Sequence, residues 1–132
     1  MATDHVTGLA SRGDFEAWLN TRESLADVAF VIVDVVGLKR ANETLGFLAG
    51  DDLLRAAAAR LCQAATAALL VARLGGDELL AVFSDPAAAA AAAGSLAAAG
   101  EEPRLRVGIA TGTAAETRET LIDRLYATVR GS

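Results

Sequence analysis

The sequence predicts an α+β fold: a central, mainly antiparallel sheet, partly parallel at its crossovers, in the order βααββαβ between two outer helices, with the helices on one face. Three observations predict it. Two apolar runs, at residues 69–74 and 79–83, flank the turn Gly75-Gly76-Asp77-Glu78 and read as a β-hairpin. The β-branched run "VAFVIVD", residues 28–34, is bounded by charge and reads as a strand buried on both faces. Segments of helical period separate the strands, so some connections are crossovers.

Each element has its own signal. Phe15, Trp18, Leu19 and Leu25 follow helical spacing and predict a first helix ending near Ala26-Asp27, with Trp18 as a core contact. The strand at 28–34 ends in Asp34, where the chain leaves the core. "VGLKRANETLGFLAGDDLLRAAAARLCQAA" holds two helical segments separated by a turn from Gly46 to Gly50. Asp51 or Asp52 can cap the second segment, whose inner stripe is Leu54, Ala58, Leu61 and Ala65. After the hairpin, Asp85-Pro86 supplies an N-cap and a first-turn proline for an Ala-rich helix reaching about Gly100. "RLRVGIATG", residues 104–112, alternates like a half-buried strand, and Leu121, Ile122, Leu125, Tyr126 and Val129 mark a closing amphipathic helix. No repeat or linker divides the 132 residues, so one domain over 1–132 is expected.

Composition narrows the function. Alanine supplies much of the 53% hydrophobic content, and no run approaches the roughly 20 apolar residues of a membrane span. A net charge of -5, with 12 Lys and Arg residues scattered along the chain, argues against nucleic-acid backbones as partners. A phosphate-bearing ligand then needs a metal or a local cationic pocket. The N-terminal stretch "MATDHVTGLASRGDF" has neither the basic flank nor the apolar centre of a secretory signal, so a cytoplasmic location is expected. Cys62, the single cysteine, cannot form an internal disulfide and reads as a small buried thiol.

Asp34 ends one strand, and Asp77 and Glu78 sit at the turn joining two others. If those strands are neighbours at the roughly 4.8 Å spacing of a sheet, the three carboxylates converge at one edge. Repulsion among them raises their pKa values unless a cation is shared. Mg²⁺ (or Mn²⁺) suits such a place, because it takes a few carboxylate oxygens and keeps room for water and substrate phosphates. Gly75 and Gly76, lacking Cβ, let the backbone approach a ligand and adopt positive φ. Taken singly, Gly-Gly-Asp is also ordinary turn chemistry, and a strand-end aspartate is also a plain solvated charge.

The same residues carry a resemblance. "GGDEL", residues 75–79, resembles the signature of the GGDEF family of diguanylate cyclases, with Leu79 in place of the final Phe. Three further blocks are similar to that family in the same order: "DHVTGLASRGDF" at 4–15, "DVVGLKRANETLGFLAGDDLL" at 34–54 and "RVGIATG" at 106–112. The resemblance implies a palm-like, ferredoxin-like fold and the condensation of two GTP molecules into cyclic di-GMP, with Mg²⁺, at the interface of a homodimer. It implies Asp34 and the backbone carbonyl of Val35 as metal ligands. Asp77 becomes a second ligand and the proton acceptor for the attacking 3′-hydroxyl, with Glu78 assisting at the metal and Gly75 and Gly76 beside the substrate. Lys39 matches a lysine next to the triphosphate, and Asn42 and Asp51 match guanine-reading positions. An Asp51 carboxylate accepts from the N–H groups of guanine's Watson–Crick edge, which adenine does not reproduce, and Asn42 offers both a donor and an acceptor.

The match has departures. Val36 replaces a common second aspartate, Glu43 replaces an aspartate, and Phe47 stands beside the base pocket where a histidine is frequent. "LIDRLYATVRGS" aligns with the family's phosphate-binding last helix in two ways, leaving either Val129 or Arg130 at the lysine position. The family's inhibitory product-binding motif, R-x-x-D, falls on residues 66–69, which read Thr-Ala-Ala-Leu, so that site is absent. Beside the diguanylate cyclase reading stands a degenerate GGDEF module that binds GTP, cyclic di-GMP or a protein partner without catalysis. A third reading is a palm-domain cyclase with a different nucleotide product.

Overall fold

A computed structural model describes residues 3–98, 103–113 and 116–130 of the chain. Its elements are α1 (Arg12–Asn20), β1 (Ala29–Val35), α2 (Leu38–Leu45), α3 (Phe47–Ala64), β2 (Leu70–Arg73), β3 (Glu78–Phe83), α4 (Pro86–Ala98), β4 (Leu105–Thr111) and α5 (Arg118–Arg130). The order is the one the sequence predicts. The four strands form one sheet, β2-β3-β1-β4, and every pairing between them is antiparallel. The expected parallel component is reduced to an isolated bridge between Ala10 and Ala72. β1 and β2 do run in the same direction, as a helical crossover requires, but β3 inserts between them. Their parallel orientation therefore never becomes a hydrogen-bonded pair.

The helices cover both faces of the sheet, not one. Ala29, Val31, Val33 and Val35 of β1, with Leu79, Ala81 and Phe83 of β3, pack with Leu54, Ala57, Ala58 and Leu61 of α3 and Ala89, Ala92 and Leu96 of α4. The alternate residues Phe30, Ile32, Leu80 and Val82 pack with Phe15 and Leu19 of α1 and Leu121, Ile122, Leu125 and Val129 of α5. Continuous apolar strands such as β1 and β3 carry a greasy side chain on both faces, so each face needs its own cover. Phe15 meets Phe30 edge to face, with centroids 6.3 Å apart.

Several boundaries move for local reasons. Ser11 and Asp14 form a capping box that starts α1 at Arg12, ahead of the apolar stripe. The helix stops at Asn20, and Leu25 reaches the core from the loop that follows. Trp18 is half-buried against that core, with Arg22 over its ring. Between α2 and α3 the break is Gly46 alone, with φ of 90°, not a five-residue turn. Asp51 and Asp52 consequently lie inside α3 and cap nothing. Asp85 does cap α4, accepting from the Ala87 N–H at 3.0 Å, while the expected helix end near Gly100 falls outside the described residues. Cys62 is exposed on α3, against the expectation of a buried thiol.

Candidate functional site

The site is built on sheet register. Asp34 at the end of β1 pairs with Glu78 on β3 and, on its other side, with Arg106 on β4. Side chains alternate along a strand, so Glu78, Asp34 and Arg106 form a row across three strands on the face that α1 and α5 cover. Asp77 joins from the turn, where its carbonyl accepts from the Val35 N–H at 2.8 Å and docks the turn onto the end of β1. One carboxylate oxygen each from Asp34, Asp77 and Glu78 lies within 4.8 Å of the other two. Glu78 is 1% exposed, and Asp34 and Asp77 are half-buried. An all-oxygen set at this spacing fits a hard cation such as Mg²⁺ or Mn²⁺ better than a metal that seeks nitrogen or sulfur.

The glycine turn is held from three directions. The Leu74 and Gly75 N–H groups both donate to the Glu78 carbonyl, at 2.8 and 3.3 Å. Arg73 clamps the outside, donating from Nε to the Gly75 carbonyl at 3.2 Å and from Nη2 to the Gly76 carbonyl at 2.9 Å. Its Nη1 donates to Asp4 Oδ1 at 3.0 Å, tying the N-terminal turn to the glycine turn. Burial works against the charge on Asp4, but the Thr7 hydroxyl and N–H together with Arg73 outweigh it and hold the carboxyl below its ordinary 3.8. From α5, the Tyr126 hydroxyl donates to the Leu74 carbonyl at 3.2 Å and accepts from Arg12 Nη1. Neither Gly75 nor Gly76 adopts positive φ, contrary to the sequence-based expectation. Space at Gly75 is tight: a Cβ there would stand 3.0 Å from Glu78 Oε1 and 3.2 Å from the Tyr126 hydroxyl, so these side chains would have to shift.

An open cavity of about 430 Å³ adjoins the carboxylates, with Asp34, Val35, Asp77, Lys39, Arg40 and Arg106 among its walls. Lys39 is thereby brought to the cluster, with its side chain 89% exposed and its Nζ 4.0 Å from Glu43. Asn42, Phe47 and Asp51 do not line this cavity. Asn42 lies against Gly50 where α2 meets α3, next in sequence to Asp51, and Phe47 is 76% exposed at the start of α3. Val129 is buried in the α5 core, so that alignment of the last helix presents no cation, and the Arg130 side chain lies outside what the structure describes. Sequence reasoning assigned no role to Asp4, Arg73, Tyr126 or Arg106. A signal existed for two of them: Arg73 directly precedes the glycine turn, and Arg106 is a charge inside an otherwise small and apolar strand.

Known proteins share this fold. A sequence model of the family described as "Diguanylate cyclase, GGDEF domain" matches residues 1–123. No curated protein sequence matches the chain. Among solved structures, the chain is similar to diguanylate cyclase SiaD from Pseudomonas aeruginosa in complex with its activator SiaC, at 22% identity and a TM-score of 0.74. It is also similar to the S helix-GGDEF-EAL region of LapD from Vibrio cholerae bound to c-di-GMP, at 21% identity and a TM-score of 0.82. The chain spans 56% of the SiaD chain and 33% of the LapD chain, and 96% of its own residues are covered in each comparison. The GGDEF domain of DgcB from Caulobacter crescentus, in complex with c-di-GMP, is similar over 98% of this chain and 91% of its own, at 24% identity and a TM-score of 0.77. These structures share the fold. Because the glycine turn, the strand-end Asp34 and the whole sheet fall within the matched span, the chain belongs to the GGDEF domain family.

Proposed function

We propose that this chain is a diguanylate cyclase domain, one domain over residues 1–132, that condenses two GTP molecules into cyclic di-GMP. The observation that carries it is the convergence of Asp34, Asp77 and Glu78 beside a cavity that Lys39 and Arg40 also line. In this reading Asp34, the Val35 carbonyl, Asp77 and Glu78 would hold Mg²⁺ or Mn²⁺, which when bound neutralises triphosphate charge and polarises the phosphoryl group. Asp77 accepts the proton of the attacking 3′-hydroxyl, and Glu78 assists at the metal. Lys39 steadies the triphosphate as a mobile point charge, which its exposure permits. Asn42 and Asp51 read guanine, and Phe47 lies beside the base. Gly75 and Gly76 leave space for the substrate over the turn. Phosphoryl transfer asks mainly for positioning and charge neutralisation, and a rigid sheet end supplies the first.

Each protomer holds one GTP, so joining two of them requires a homodimer with the two sites facing each other. No helix among the described residues is long and apolar enough to cross a membrane, which suits the cytoplasmic setting where GTP is found. Bound c-di-GMP in the DgcB structure and the SiaC activator in the SiaD structure support nucleotide and protein ligands as classes for this fold.

One observation favours the non-catalytic module as a second reading: the Arg106 guanidinium stands 3.8 Å from Asp34, where a metal ligand should be available. Incubation of the purified protein with GTP and Mg²⁺, with chromatographic analysis of the products, separates the two. Formation of cyclic di-GMP supports the cyclase. Binding of GTP without turnover supports the module, and a different cyclic product supports another palm-type cyclase.

A further inference from the structure

Asp34 stands between a carboxylate and a cation. Its register partners are Glu78 on β3 and Arg106 on β4, and Arg106 Nη1 lies 3.8 Å from Asp34 Oδ2. Resting on the metal-site reading above, we propose that Arg106 is a resident counter-cation that competes with the divalent ion for Asp34. The protein's metal affinity is then set in part by how readily the guanidinium gives up that carboxylate.

Three carboxylates within 4.8 Å repel one another, and the Arg106 guanidinium 3.8 Å from Asp34 relieves part of that repulsion. A divalent ion entering the cluster meets that same guanidinium as a like charge a few ångströms away. The two partners differ in freedom: the Asp34 side chain is 15% exposed on a central strand, whereas that of Arg106 is 61% exposed on the edge strand β4. Arg106 is therefore the partner that moves, and it leaves without uncovering any core. It also lines the cavity with Lys39, so a displaced guanidinium faces the space in which a triphosphate would lie, and its planar fork suits phosphate oxygens. A cross-strand ion pair this exposed is weak and screened by salt, which makes it displaceable by a divalent ion.

The test is a Mn²⁺ titration of the full chain, reading free Mn²⁺ by electron paramagnetic resonance, with folding checked by circular dichroism. Arg106→Gln removes the charge and keeps a polar side chain, Arg106→Lys keeps the charge, and Asp77→Asn reports on the cluster itself. Arg106→Gln should bind Mn²⁺ about three- to tenfold more tightly than the unmodified chain, by an effect that shrinks as salt is raised. Arg106→Lys should stay close to the unmodified chain, and Asp77→Asn should weaken binding. If Arg106→Gln does not fold, Arg106→Ser serves in its place. Affinity unchanged or reduced on loss of the Arg106 charge, while Asp77→Asn still weakens binding, overturns the competition and leaves the metal site standing. Binding that ignores Asp77→Asn, or is absent from every variant, removes the metal site and the proposal with it.

Discussion

Asp77 holds two jobs in two different groups. Its backbone carbonyl docks the turn onto Val35, and its carboxylate joins the cluster. Asp77→Ala removes only the second. Cyclase activity should therefore fall by about 10²-fold or more, as expected when a metal ligand and proton acceptor is lost, while the melting temperature stays near that of the unmodified protein. Product formation and thermal melts on one preparation check both parts, and retained turnover would remove Asp77 from the mechanism. Asp51 offers a separable test, since it lies outside the carboxylate cavity. Asp51→Ala should raise the apparent GTP requirement and cut the preference for GTP over ATP by about 10–100-fold, the value of charge-assisted hydrogen bonds to the base. Equal use of ATP and GTP by the unmodified protein would sink the base-reading role. At this scale the candidate carboxylates were legible in the sequence, because turn and strand-end positions announce themselves locally. Arg106 was not, because a charge in an edge strand has many solvated explanations until the register shows which residue it faces.

At the scale of elements, the contact of α5 with β4 depends on one missing side chain. A Cβ on Gly108 would run into Thr128 Cγ2 and crowd Val129 Cγ1, and the branched Thr128 has little rotamer freedom to yield. Gly108→Ala should cost about 1–3 kcal/mol, the usual effect of overpacking a helix against a sheet. Gly94, exposed on α4 where an added Cβ would meet nothing within 4 Å, provides the control. Gly94→Ala should leave stability unchanged or raise it by up to about 1 kcal/mol, through helix propensity alone. If the packing is as described, urea melts show a lowered midpoint for Gly108→Ala and an unchanged or raised one for Gly94→Ala. The elements themselves were readable from period and capping. The cover of both faces was also implicit, because the apolar run of β1 leaves no polar side to expose.

For the molecule as a whole, two ion pairs tie loops to the sheet and predict the response to acid. Arg73 joins Asp4 to the glycine turn, and Arg124 joins Glu116 to the end of β4, donating to Glu116 at 2.7 and 2.9 Å and to the Thr111 carbonyl at 2.7 Å. Hydrogen bonding from Arg124 holds Glu116 below its ordinary 4.5, and Asp4 is held below 3.8. A carboxyl whose pKa is lower in the folded state contributes its stability above the unfolded value and loses it as pH falls through the folded value. Stability should therefore be level around neutrality with respect to these groups and decline as pH drops below about 4.5. Melting temperatures from pH 7 to pH 3 check this, and Glu116→Gln should make the acid slope shallower. A slope unchanged by that substitution would mean that the pair contributes nothing to the acid response.

The sequence by itself determined the number, type and order of the elements, the hairpin at the glycine turn, and the strand-end and turn positions of Asp34, Asp77 and Glu78, whose convergence waited on β1 lying beside β3. Each of these follows from periods of two and 3.6, from caps, or from residues adjacent in the chain. Only the tertiary structure decided that β3 separates β1 from β2, that α1 and α5 share a face, and that Asp4 meets Arg73 across 69 positions. It also decided that Arg106 on β4 faces Asp34 on β1. Local patterns state which side of a strand is apolar, but which strand lies beside it, and in what register, depends on packing among segments far apart in the chain.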